Sequence, residues 1–77
     1  MRKRYLIPLS SGEINVLVEE QDNPILYKFA AVLNDWDQDC QFETGNTVEE
    51  AVENLATLID ATLPDNWSIY AAGPRIV

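Results

Sequence analysis

The chain has 77 residues, 47% of them hydrophobic, with 13 acidic against 5 basic side chains, a formal net charge of −8 and no histidine. That length holds one modest core, so residues 1–77 read as a single domain, and the apolar content excludes a disordered tail. No Lys or Arg falls between Phe29 and Pro74, which excludes phosphate-backbone binding by that segment, since nucleic-acid affinity rests on cations.

Met1-Arg2-Lys3-Arg4 is basic and reads as a solvated, frayed tip. Residues 5–9 form an extended segment, and Pro8 restricts it to a sheet edge or a strand end. Ser11-Gly12 turns the chain into a strand over 13–20, with Ile14, Val16 and Val18 on one face. Leu17 on the other face implies partial cover there too. Gln21-Asp22-Asn23-Pro24 is turn chemistry and predicts a hairpin. The return strand, 25–33, sets Tyr27, Phe29, Ala31 and Leu33 on one face and is apolar enough to lie centrally.

After the polar loop Asn34-Asp35-Trp36-Asp37-Gln38-Asp39, a third strand over 40–45 alternates Cys40, Phe42 and Thr44 with Gln41 and Glu43. It ends at Gly45, whose backbone freedom suits an abrupt turn. Thr47 followed by Glu50 is a capping box, in which hydroxyl and carboxylate each satisfy a backbone N–H at a helix start. Apolar residues at 48, 51, 52, 55, 58, 59 and 63 then share one helical face, opposite Glu49, Glu50, Glu53, Asn54, Thr57 and Asp60. A helix over 47–63 follows, roughly 25 Å long at the usual rise. Pro64-Asp65-Asn66 stops it, and the alternation from Trp67 predicts a last strand over 67–72. The expected fold is α+β in two layers: an antiparallel sheet of four to five strands covered by one amphipathic helix. Its core order is β-β-β-α-β with an extra N-terminal extended segment.

Without histidine the chain lacks the commonest general base and zinc ligand, and every Ser-His or Cys-His nucleophile pair. Cys40 stands beside Asp39 with no cation near it in sequence, which is the setting of a structural thiol. Asp35, Asp37 and Asp39 open like a calcium loop, but the sixth position is Cys40 where glycine is needed and the twelfth is Asn46 where glutamate is needed. The reading is therefore non-enzymatic, with no catalytic residue, metal or cofactor. A single cysteine, no signal peptide and no apolar run of membrane-spanning length point to a cytoplasmic protein without a membrane partner. The residues suited to holding a partner are Asp35, Trp36, Asp37, Asp39, Glu49, Glu50 and Glu53: carboxylates to attract a basic protein, and Trp36 as an aromatic anchor. An acidic mimic of nucleic acid, or a stand-alone domain whose role the residues do not specify, is the alternative, followed by a divalent-metal-dependent nuclease. Small size also makes a homodimer attractive.

The strand Gln41-Phe42-Glu43-Thr44-Gly45 and the helix start Asn46-Thr47-Val48-Glu49-Glu50-Ala51-Val52-Glu53-Asn54-Leu55 resemble the HicB-type antitoxin domain. That family carries a Gly-Asp-Thr-x-Glu-Glu-Ala-x-x-Asn-like signature at this step. Its domain is a truncated ribonuclease H-like fold, and the similarity extends over roughly residues 13 to 72. The resemblance implies a small basic ribonuclease toxin as partner, held by the acidic surface. The family's Pro-Gly-Cys approach to the third strand is here Asp37-Gln38-Asp39-Cys40, and the 5–9 segment is additional.

Overall fold

The computed structural model describes residues 2–21, 26–33 and 41–71. Four strands, β1 (Arg2–Leu9), β2 (Gly12–Glu20), β3 (Phe29–Leu33) and β4 (Phe42–Gly45), form one antiparallel sheet in the order β1-β2-β3-β4. A helix, α1 (Val48–Leu58), and a 3-10 turn, Trp67–Tyr70, complete the described elements. The fold is α+β, a four-stranded antiparallel sheet with one helix.

Strand alternation sorts the sheet into two faces. Tyr5, Ile7, Val16, Val18 and Ala31 point to one face and are buried, and Ala51, Val52 and Leu55 of α1 close over them with Trp67. An isolated helix of eleven residues is marginal in water, so α1 depends on this packing. Each buried Val, Ile or Leu contributes about 1.5–3 kcal/mol. The helix lies mainly on β4 and β3 and reaches β2, while the 3-10 turn lies on β1.

Several expectations are corrected. The basic tip is not frayed: Arg2, Lys3 and Arg4 belong to β1 and pair with Glu19, Val18 and Leu17. The segment expected at 5–9 is thus a full eight-residue edge strand, with Pro8 exposed upon it. β3 begins at Phe29 rather than residue 25, and β4 at Phe42 rather than residue 40. Residues 22–25, most of the expected hairpin turn, lie outside the described residues, although Gln21 N–H donates to Lys28 O across its base at 2.9 Å. The expected last strand is the 3-10 turn, closed by Trp67 N–H to Pro64 O at 3.1 Å and Ile69 N–H to Asn66 O at 3.0 Å. Among the described residues of that stretch only Ala71 makes a strand-like bridge, to Tyr5.

The helix ends five residues before the expected Leu63. Asp60 adopts φ 57°, and Asp60 N–H donates to Thr57 O (3.2 Å) while Ala61 N–H donates to Ala56 O (2.8 Å). This paired closure around a left-handed residue is a Schellman motif. Ile59 and Leu63 continue the apolar spacing because the chain beyond the helix also packs on the core. Asp60 bears both a strained backbone and a negative charge at the negative end of the helix dipole. Asp60→Gly removes both, and after the entropy cost of glycine a gain of about 0.5–1 kcal/mol is expected. The check is a thermal melt. Asp60→Asn should gain less and Asp60→Ala should not gain, if the left-handed backbone is the source.

The two described glycines of the sheet act differently. Gly12 has φ 132° in the β1–β2 turn, with open space around it. Gly45 has no positive φ, and its role is close approach: a Cβ there would lie 2.6 Å from Ala51 N and 2.9 Å from Glu50 Cβ. The first helical turn rests directly on the end of β4.

Candidate acidic binding surface

The start of α1 is built as a capping box shifted by one residue. Thr47 Oγ1 accepts from Glu50 N–H at 3.0 Å, and Glu50 Oε1 accepts from Asn46 N–H at 3.0 Å, one position before the cap. Glu50 is therefore engaged in starting the helix as well as carrying charge. On the outward side of the helix, Asn54 Nδ2 donates to Thr44 O at 2.9 Å and ties α1 to the outer margin of β4. Thr57 Oγ1 donates back to Glu53 O at 3.1 Å.

Glu49, Glu50 and Glu53 are all exposed, as expected for a solvated helix face. Glu49 and Glu50 in the first turn favour the helix dipole, which offsets the repulsion between Glu49 and Glu53 four residues apart. Asp60 and Asp65 extend this charge along the helix end and the following turn, both exposed, and the last turn of α1 holds no basic residue. The described cations are Arg2, Lys3 and Arg4 on β1 and Lys28 just before β3. Among the described residues the helix layer thus carries acidic side chains and no basic one. Asp35, Trp36, Asp37 and Asp39, the other expected partner-binding residues, lie outside the described residues, as does Cys40.

A cleft of about 320 Å³ opens between the second half of α1 and the chain that follows it, with Glu53 and Thr57 on the helix side and Leu63, Pro64 and Asp65 opposite. Trp67, buried, also lines it, its ring meeting Tyr5 edge-on at 5.1 Å and 74°. This lies at the small end of ligand-pocket sizes and has room for one long side chain. Sequence reasoning missed the cleft, because it exists only where the helix stops at Leu58 and the chain folds back. The left-handed Asp60 was the signal, and nothing in the apolar spacing betrays it.

Among the described residues no buried side chain is polar or charged, and no group of three or more His, Cys, Asp or Glu is placed to hold a metal ion. What the surface offers chemically is attraction for cations. Compared with family models, curated proteins and solved structures, the chain matches none. Among the described residues no helix is long and apolar enough to cross a membrane.

Proposed function

We propose that this chain is a non-catalytic, antitoxin-like protein-binding domain that holds a small basic protein against its acidic helix layer. The observation that carries this reading is the charge layout: Glu49, Glu53, Asp60 and Asp65 are exposed along one layer that contains no described Lys or Arg. The resemblance of the Gly45–Asn54 segment to the HicB-type step supports the same class of partner. The cleft beside Glu53 and Asp65 would accept an Arg or Lys side chain from that partner. Asp35, Trp36, Asp37 and Asp39 belong to the proposed surface on their sequence alone.

Electrostatic complementarity acts chiefly on the association rate, and rim charges are the residues that set it. The test first looks for a small basic protein encoded beside this one and uses it as the probe, in stopped-flow binding at stepped salt; absence of any such protein also counts against the reading. The association rate is expected to fall steeply with salt, and the combined Glu49→Lys and Glu53→Lys variant to cut it about tenfold or more at low salt with a smaller change in dissociation. A rate indifferent to salt and to these substitutions, or no binding, overturns the reading. Duplex DNA competing for the same partner would mark the surface as a nucleic-acid mimic instead.

A further inference from the structure

Helix α1 buries Val52 and Leu55 in the core and turns a second stripe, Glu53 and Ala56, towards the chain that returns after Leu58. A spacing of three residues puts these two on one side of the helix. Ala61, Leu63 and Asp65 stand opposite, and Trp67 forms the floor of the cleft of about 320 Å³ between them. The two walls are tied by a backbone bond of their own, from Ala61 N–H to Ala56 O at 2.8 Å. The edge-on contact with Tyr5 holds the indole in place. The site is thus largely formed before anything enters it, which lowers the entropy cost of binding.

The chemistry of the lining narrows what can enter. Glu53 and Asp65 are exposed, and among the described residues their carboxylates have no ion-pair or hydrogen-bond partner. No Lys or Arg lines the cleft. An anion is repelled there, and a neutral apolar ligand would cover charge without pairing it. A side chain with an aliphatic stem and a cationic head meets both demands. Lysine and arginine differ in how they use two acids on opposite walls. Ammonium is a compact, strongly hydrated point charge. Guanidinium is flat, more weakly hydrated and carries N–H donors on more than one edge, so it can serve a carboxylate on each side while one face lies on an aromatic floor.

We propose that the cleft is a pocket for a single arginine side chain of a bound polypeptide, taken in preference to lysine. Glu53 and Asp65 pair with the guanidinium, Trp67 lies beneath it, and the stem runs along Ala56, Ala61 and Leu63. The proposal rests on the partner reading above for the identity of the protein that carries the arginine, and goes beyond it by naming the anchor. Glu49 and Asp60 do not line the cleft. The acidic layer as a whole therefore sets how fast a basic partner arrives, and the pocket sets how long it stays.

The test is a titration of the full chain with Nα-acetyl-arginine amide, followed by two-dimensional NMR, beside the lysine and citrulline analogues at equal concentration. Lysine matches the ionic strength, and citrulline keeps the shape of arginine without its charge. Arginine is expected to bind weakly, at about millimolar concentration for so small a probe, with shifts concentrated at the Trp67 indole N–H and the amides of Thr57, Ala61 and Asp65. Lysine should bind about fivefold or more weakly, and citrulline should give no saturable shift. Glu53→Gln and Asp65→Asn should each weaken arginine binding about fivefold or more, whereas Glu13→Gln, which removes the same charge from β2, should not. Far-UV circular dichroism checks the fold of each variant. No saturable shift with arginine, equal affinity for lysine or citrulline, shifts centred away from the cleft, or indifference to Glu53→Gln and Asp65→Asn overturns the proposal. These titrations need no partner, so they are separate from the stopped-flow result: a failed arginine titration overturns the pocket alone, and a salt-indifferent association rate overturns the partner reading alone.

Discussion

Gly45→Ala is expected to lower the melting temperature by roughly 12–24 °C. The added carbon would sit 2.6 Å from Ala51 N and 3.0 Å from Glu50 C, both backbone atoms, so no side chain can swing aside to admit it. The first turn of α1 must lift from β4 instead. Lifting it breaks the close contact and loosens the bonds from Glu50 N–H to Thr47 Oγ1 and from Asn46 N–H to Glu50 Oε1. Overpacking costs about 1–3 kcal/mol and a lost cap about 1 kcal/mol more, so a destabilisation of about 3 kcal/mol is expected. Thermal and urea melts followed by circular dichroism check it. A loss below about 1 kcal/mol would mean that the helix start yields without cost, contrary to the packing described.

Trp67→Ala is expected to cost about 3–5 kcal/mol, close to the whole stability of a domain of this size. The indole is buried to 6% exposure, meets Tyr5 edge-on and belongs to the 3-10 turn that packs on β1. Removing it leaves Tyr5 without its ring partner and opens the floor of the cleft beside Glu53. Trp67→Phe retains the edge-on contact and much of the apolar area, so it should cost less than half as much. Urea midpoints separate the two variants: the alanine form should be partly unfolded at 25 °C, and near-wild-type behaviour of that form would show that the turn is not fastened through this ring.

Much of this architecture was legible in the residues because the local signals and the burial agree. Thr47 and Glu50 mark a helix start whatever lies around them, since the bonds they make are within one turn. Ile14, Val16 and Val18 alternate cleanly because they share the face of β2 that packs into the core beneath α1. The expectations fail where the determinant is tertiary. Ile59 and Leu63 keep helical spacing after the helix has ended, because the core draws apolar residues from a returning loop as readily as from a helix. Trp67-Ser68-Ile69-Tyr70 alternates over four residues, too short to separate a strand from a tight turn, and the burial of Trp67 against exposed Ile69 suits either. Arg2-Lys3-Arg4 reads as a loose end, yet pairing with β2 needs only backbone groups, and Lys3 Nζ settles 6.0 Å from the centre of the Tyr5 ring. Of the acidic surface, charge and exposure of Glu49 and Glu53 were legible. The second role of Glu50 at Asn46, and the meeting of Glu53 with Asp65 around a cleft, were not.

The side-chain amide of Asn54 has a further effect. By capturing the outward-pointing carbonyl of Thr44, it denies an incoming strand one of the few acceptors along the four-residue rim of β4, while Ala71 bridges Tyr5 on the opposite rim. Open rims are where β-rich chains stack endlessly into fibrils. With both rims obstructed, lateral growth of the sheet is discouraged, and a chain that is nearly half hydrophobic is protected from runaway aggregation.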